Sequence, residues 1–389
     1  MTVTRIPCWI MRGGTSKAVF LMAQDIPADR ESRRRIILRI FGSPDKGQID
    51  GLGGADPLTS KCAVIERSPR TDADITLAFY QVGIESDVVK PSICGNIAAA
   101  VGLFAVEQGL VTLQAPITTV VIHDIHTDRL IYADVPTDAS AALTGGKFAI
   151  AGVPGTGPRI MLDWHTVVGI ETGALLPTGH ARDFIDVPGV GSVEVSIVDC
   201  GNPVVFIEAQ AMGLSGTELP DAVNNNAALK QKAELIRGAA AERVGLVRNG
   251  MNSAAENPNH PFLALVAAPN SYATYAGEMI QADQVDIISR AFFMQSMHKT
   301  FPGSGALCLG VAAKLEGTVV AEAARRLPAS RSPFRIGHPG GVMDVEVEVR
   351  NQGNDTVVLR AAFGRTARRI LDGFVYVDVP ISTDDTATH

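Results

Sequence analysis

The sequence predicts an α+β fold of two pseudo-symmetric, β-rich domains, each a barrel-like sheet around one central helix. Three observations predict it. The chain has 389 residues, more than one core ordinarily holds, so two domains are expected. Val/Ile-rich runs separated by many of the 38 glycines point to strands joined by tight turns. Two segments, Ile97 to Val106 and Ala306 to Glu316, are apolar nearly all round, follow small polar residues, and stop at Gly109 and Gly317. A helix that is apolar on every side belongs inside a domain.

Bulk properties narrow the function classes. Hydrophobic residues make up 46% and charged ones 19%, which excludes a disordered chain. No apolar run reaches the roughly 20 residues that span a bilayer, and the start, Met1 to Cys8, has no apolar signal region. The expectation is a soluble cytoplasmic protein without a membrane partner. The net charge of −7 and the lack of a Lys/Arg block argue against a nucleic-acid partner. Cys8, Cys62, Cys94, Cys200 and Cys308 are scattered with no C-x-x-C pair, so neither a disulfide framework nor structural zinc is supported. No metal or organic cofactor is expected. Monomer and homodimer both remain open.

In chain order, Arg5 to Met11 and Ala18 to Leu21 read as strands flanking the polar turn Arg12-Gly13-Gly14-Thr15-Ser16-Lys17. That string lacks the order of a nucleotide P-loop. Its backbone amides and Arg12 suit a carboxylate, and a hairpin turn with a solvated Arg and Lys fits equally. Arg30 to Ile40 is an amphipathic helix. The glycine-rich loop from Gly51 to Ser60 runs into a strand, with Lys61 at the joint and apolar residues after it. Burial there favours a neutral lysine able to act as a base, whereas a snorkelling surface lysine is the alternative. Asp74 to Gly83 is a strand leading to Ser92-Ile93-Cys94-Gly95-Asn96 and the first buried helix. Strands follow at Thr118 to Asp124 and Arg129 to Val135, and a further strand and turn at Gly145 to Gly155.

A Gly/Pro-rich connection places the boundary near residue 180, giving domains 1–180 and 181–371, with a final strand over 372–385 returning to the first. In the second half, strands are expected at Gly191 to Val198, Val204 to Ile207 and His260 to Val266, and helices at Ala227 to Val244 and Ile287 to Met297. The second apolar helix is followed by a strand starting at Thr318, then by strands at Val342 to Arg350, Asp355 to Phe363 and Gly373 to Val379. The tail from Thr383 reads as disordered.

Cys94 sits at the mouth of the first buried helix. The first N–H groups of a helix lack intrahelical partners and carry partial positive charge, which suits an anion or an activated thiol. A structural buried cysteine is the alternative.

Taken together, Met11 to Lys17, Gly51 to Lys61, Cys94-Gly95-Asn96, Gly201-Asn202-Pro203 and Ile336 to Gly340 resemble the PrpF-type isomerases, over nearly the whole chain. The resemblance implies a diaminopimelate epimerase-like fold and a cofactor-independent shift of a C=C bond in a small unsaturated di- or tricarboxylate. Substrate types known in that family include 2-methylaconitate, methylitaconate, aconitate and 4-oxalomesaconate. In the epimerase branch, two cysteines flank one carbon. The first matches Cys94, and the second falls at about Pro302, which cannot transfer a proton. Cys308 lies inside the helix and is no substitute. The resemblance therefore implies Lys61 and Cys94 as the catalytic pair.

The carboxylates of the substrate are expected on Gly95 and Asn96, on Gly303, Ser304 and Gly305, and on the turn Arg12, Gly14, Thr15 and Ser16. Ser60 and Asn202 complete the expected donors. His298 and His338 are either anion contacts or structural histidines. Two other functions stay open at this point: an amino-acid epimerase, and a non-catalytic accessory protein that binds such acids for a dehydratase.

Overall fold

The computed structural model describes residues 3–150, 152–324, 333–352 and 355–378. They fall into two compact units, one of residues up to 162 and from 364 onward, the other of residues 163–363. The chain thus passes between units earlier than residue 180. Residues 163–180 are tied into the second unit: Val168 bridges to Cys200, Gly169 N–H donates to the Asp199 carbonyl at 3.0 Å, and Thr172 Oγ1 donates to the Asp199 carboxylate at 2.8 Å. The expected end of the last strand, 379–385, and the tail from Thr383 lie outside the described residues.

The first unit contains β1 (Thr4–Gly13), β2 (Ser16–Met22), α1 (Arg30–Phe41), β3 (Lys61–Arg67), β4 (Ile75–Val82), β5 (Val89–Pro91), α2 (Gly95–Glu107), β6 (Ile117–Asp124) and β7 (Arg129–Pro136). The chain leaves along β8 (Ile160–Asp163). The second unit contains β9 (Asp183–Val187), β10 (Gly191–Cys200), β11 (Asn202–Glu208), α3 (Pro220–Asn224), α4 (Ala227–Arg243), α5 (Ser253–Glu256), β12 (Phe262–Ala267), β13 (Tyr272–Ala273), β14 (Met279–Ile280), β15 (Ile287–Phe293), β16 (Ser296–Met297), α6 (Gly303–Ala312), α7 (Val319–Ala323), β17 (Phe334–His338) and β18 (Gly341–Gln352). It closes with β19 (Asp355–Arg365), and β20 (Ala367–Val377) belongs to the first unit.

Both units follow one plan. In the first, β20 pairs with β1, β1 with β2, β2 with β3, β3 with β4, β4 with β6 and β6 with β7. The β2–β3 and β4–β6 pairs are parallel and the others antiparallel. In the second, β9-β10-β11-β12-β15-β17-β18 repeats that order of pairings, with β11–β12 and β15–β17 parallel. A parallel pair needs a crossover, and each crossover carries a helix: α1 and α2 in the first unit, α4 and α6 among those in the second.

The second crossover helix becomes the core. α2 packs on β1, β2, β6, β7 and β20, strands from both ends of the row, so the sheet curls around it. Residues Ile97 through Val106 of α2 are all buried. Its Phe104 meets Trp9 edge-on (5.1 Å) and Phe20 at a tilt (5.4 Å). α6 packs likewise on β10, β11 and β18. Each central helix carries a glycine where a Cβ would collide with the sheet: at Gly102 it would lie 2.6 Å from Ala133, at Gly310 2.8 Å from Val345. The first crossover helix covers the outside. α1 closes a core with Val19, Leu21, Cys62, Val64 and Ala78, and α4 closes one with Val195, Ile197, Val205, Leu263 and Leu265.

Three local expectations change. Ile287 to Met297 forms β15 and β16, not a helix. An apolar run buried on both faces reads alike as strand or helix, and here Met294 and Gln295 take positive φ to turn the chain back. Thr318 starts no strand. Its Oγ1 accepts from Ala321 N–H at 3.0 Å and caps the short helix α7. Gly145 to Gly155 holds no strand among its described residues, only an isolated bridge between Phe148 and Gly157.

No helix of the described residues is long and apolar enough to cross a membrane. The core of α2 yields a stability test. Phe104 is fully buried, so Phe104→Ala is expected to cost about 3–5 kcal/mol through lost burial and a cavity. Urea unfolding measures it, and a loss under ~1 kcal/mol would contradict the packing.

Candidate active site

The site of the first unit is set by how the β1–β2 turn meets the open end of α2. Gly13 pairs with Ser16, leaving Gly14 and Thr15 as a two-residue turn with Gly14 at φ +52°. A Cβ on Gly13 would lie 2.2 Å from the Asn96 carbonyl, and one on Gly14 would lie 2.0 Å from Asn96 Oδ1. Glycine is therefore required twice, and the turn lies flush on the first residues of the helix. Asn96 Nδ2 donates to Thr15 Oγ1 at 3.1 Å, and its Oδ1 accepts from Arg365 Nε at 3.0 Å.

Arg12 sits behind this turn. Its Nη1 donates to the carbonyls of Gly14 and Thr366, both at 2.9 Å. Burial, and then the neighbouring Arg368, lower its pKa. Arg12 thus braces the turn from inside. Ser16 is buried, and its Oγ has no hydrogen-bond partner among the described residues. An unpaired buried hydroxyl is costly, so this one is available to a ligand.

Lys61 opens β3, only 8% exposed. It pairs with Ala18 on β2 and with Gln81 on β4. Paired residues share a sheet face, and this face bears Phe20, which stacks on Phe104 of α2. Lys61 Nζ therefore lies on the helix side of the sheet. It donates to Gln81 Oε1 at 2.6 Å and stands 5.6 Å from the Phe79 ring centroid. The backbone N–H of Ser92 donates to the Phe79 carbonyl at 3.1 Å, two residues before Cys94. The chain so tethers Cys94 to the strand that carries the partners of Lys61.

Cys94 is the N-cap residue of α2, half-buried, and its side chain makes no capping bond. Gly95 and Asn96 begin the helix. The other four cysteines are buried. Burial raises the thiol pKa of Cys8, of Cys62 and Cys200 (both to about 12) and of Cys308. Cys308 Sγ donates to the Val198 carbonyl at 3.2 Å, inside α6. Ser60, expected as a substrate donor, gives its hydroxyl to Gln48 Oε1 at 2.8 Å in a buried network that also holds the Ala55 N–H.

The remaining expected residues gather in the second unit. Pro302 is the N-cap of α6, followed by Gly303, Ser304 and Gly305. Asn202 Nδ2 donates to Ser304 Oγ across the Gly201 turn. His298 Nδ1 accepts from Thr300 N–H at 3.0 Å, and burial lowers its pKa, so the ring is neutral with Nε2 left as donor. His338 is buried, with Nδ1 accepting from Gly340 N–H at 3.1 Å.

Two residues that the sequence reading passed over stand in the site. Gln81 is one. Arg365 is the other: burial pushes its pKa down to about 10, and an interaction with Cys94 opposes that shift. Nothing local marks Arg365, because its contact with Asn96 spans 269 residues. Among the described residues no group of three or more His, Cys, Asp or Glu is placed to hold a metal ion.

The chain is 44% identical to a 3-methylitaconate isomerase of Eubacterium barkeri over 96% of this chain and 97% of that one. A solved methylitaconate-delta-isomerase superposes with a TM-score of 0.91 at 43% identity, covering 97% of this chain and 96% of that one. A hydroxyproline epimerase of Agrobacterium vitis shares the fold alone, at a TM-score of 0.52 and 12% identity over 97% of this chain and 94% of that one. The family model described as PrpF protein matches residues 3–378, and the chain belongs to that family.

Proposed function

We propose that this protein, an isomerase that moves a C=C bond in small unsaturated acids, takes a dicarboxylate of the 3-methylitaconate type and uses Lys61 and Cys94 as its two proton carriers. One observation carries the reading: Lys61 is buried without an ion pair among the described residues, on the sheet face that packs on α2, the helix that opens at Cys94. The substrate type follows the relative and the solved structure, both of which bear methylitaconate in their names. The resemblance leaves 2-methylaconitate and 4-oxalomesaconate as the next candidates.

The chemistry is a proton relocation. On 3-methylitaconate, the C–H bond at the carbon bearing the methyl and carboxylate groups breaks, and its electron pair conjugates through the alkene. A new C–H bond forms at the terminal methylene, the double bond moves inward, and composition is unchanged. Lys61 takes the first proton and Cys94 delivers the second, with roles exchanged in the reverse direction. Negative charge builds on the conjugated carboxylate as the first bond breaks. Fixed donors stabilise it: the first N–H groups of α2, the Ser16 hydroxyl and the Arg365 guanidinium. Arg12, holding the turn, acts through it. The α6 mouth of the second unit has its own polar set, with Asn202 on Ser304 and His298 on Thr300.

Proton NMR in D₂O with 3-methylitaconate, 2-methylaconitate and 4-oxalomesaconate tests the reading. Double-bond migration with deuterium incorporation is expected for at least one. Lys61→Met and Cys94→Ala are each expected to lower kcat by about a hundredfold or more. Wild-type turnover in both variants would remove the pair from the mechanism. Deuterium exchange without migration would point instead to an epimerase, and binding without exchange to an accessory role.

Arg365→Met makes a separate prediction. Losing one charged hydrogen-bond partner of a carboxylate is worth about 1.5–3 kcal/mol, so kcat/KM should fall by roughly ten- to a hundredfold. An unchanged kcat/KM would mean that Arg365 only anchors Asn96.

A further inference from the structure

We propose that Gln81 is the positioning residue for Lys61: its carboxamide oxygen fixes the amine through one hydrogen bond and, being uncharged, leaves that amine without a counter-ion. This rests on the reading of Lys61 as a proton carrier.

The orientation of the amide follows from its surroundings. Gln81 Nε2 donates to the carbonyls of Pro57 (3.0 Å) and Ser60 (2.9 Å), two acceptors that only an NH₂ group can satisfy. The oxygen must then face Lys61, whose Nζ lies 2.6 Å away. Reversing the amide would set its oxygen against two carbonyl oxygens. An acceptor-only partner has a consequence for a basic amine. Whenever Lys61 is in its amine form, an N–H must face the Gln81 oxygen, so the lone pair points elsewhere, free to accept a proton. A donor in that place would have occupied the lone pair instead.

The absence of charge matters equally. The groups facing Lys61 from its paired strands are Ala18 on β2 and Gln81 on β4, with the Phe79 ring on the same face. Among the described residues Lys61 makes no ion pair. A carboxylate here would favour the ammonium, which cannot act as a base. Gln81 also reaches the glycine-rich loop through Pro57 and Ser60, and Lys17 N–H donates to Leu58 of that loop at 2.9 Å. The loop, the β1–β2 hairpin and the lysine are thereby held in register.

The other unit supplies an internal comparison. Phe262 opens β12 as Lys61 opens β3, and its neighbour on the next strand is Phe293 in place of Gln81. The two rings meet edge to face at 5.1 Å. The lysine and the glutamine are present together in one unit and replaced together in the other, as a functional pair requires.

Gln81→Met and Gln81→Glu, assayed with 3-methylitaconate or whichever acid the wild type isomerises, decide the matter. Both lose the bonds to Pro57 and Ser60, and Glu also sets an oxygen against those two carbonyls, so a purely structural role predicts at least as large a loss in Gln81→Glu, with no recovery as pH rises. The proposal predicts a split. Gln81→Met should lower kcat at least tenfold at every pH, with KM within threefold of wild type. Gln81→Glu should be equally slow at neutral pH and recover as pH rises, because an ion pair now opposes deprotonation. Wild-type kcat in both, or a loss confined to KM, or identical pH profiles, would overturn it. Should Gln81→Met fail to fold by circular dichroism, the pH profile of Gln81→Glu decides alone. Lys61→Met separates the two ideas. If it isomerises normally, the reading of Lys61 fails. If it is inert while the Gln81 variants match wild type, only the positioning role fails.

Discussion

Everything at the mouth of α2 depends on how closely the Gly13-Gly14 turn approaches Asn96. Any side chain at those positions would push the turn away by more than an ångström, since the would-be Cβ atoms lie 2.2 and 2.0 Å from Asn96 atoms. That contact places Thr15 on one side of Asn96 and Arg365 on the other. It also leaves Arg12 behind the turn, with Nη1 on the carbonyls of Gly14 and Thr366. The cation bonded to Asn96 is then Arg365, delivered by the strand that returns the chain to the first unit. The turn thus meets the helix mouth by close packing, with Arg12 hydrogen-bonded behind it.

What was legible in the sequence was whatever is local. Ile97 to Val106 announces a buried helix by its lack of a polar face, and burial of every one of those residues follows. Lys61 and Cys94 stand at joints between glycine-rich and apolar stretches, and each does start its element or cap it. The repeat was visible only as two similar helices; the matching order of strand pairings depends on contacts between distant residues and has no local signature. Ile287 to Phe293 failed for a related reason. Its first six residues are all buried, so they do not alternate, and period carries no information there. Gln81 looked like an ordinary polar residue in a strand until three partners gave its amide a direction.

The common plan of the two units gives the proton chemistry its asymmetry. Each has a strand turn pressed on the mouth of its central helix: Gly13 and Gly14 against Asn96 in one, Gly201 with a would-be Cβ 3.3 Å from the Ser304 carbonyl in the other. Each leaves that mouth without a side-chain cap, so both keep backbone N–H groups for an anion. The residues able to move a proton are not shared in this way. Where the first unit has Cys94, the second has Pro302; where the first has Lys61, the second has Phe262. Neither replacement can take up or release a proton. Inversion at a single carbon requires removal and return of a proton on opposite faces. Moving a double bond asks for something else: removal at one carbon and return two bonds away, within one conjugated system. The pair proposed above, a long amine and a short thiol both drawn from the first unit, differs in reach as that demand requires, and the second unit has neither group at the matching positions.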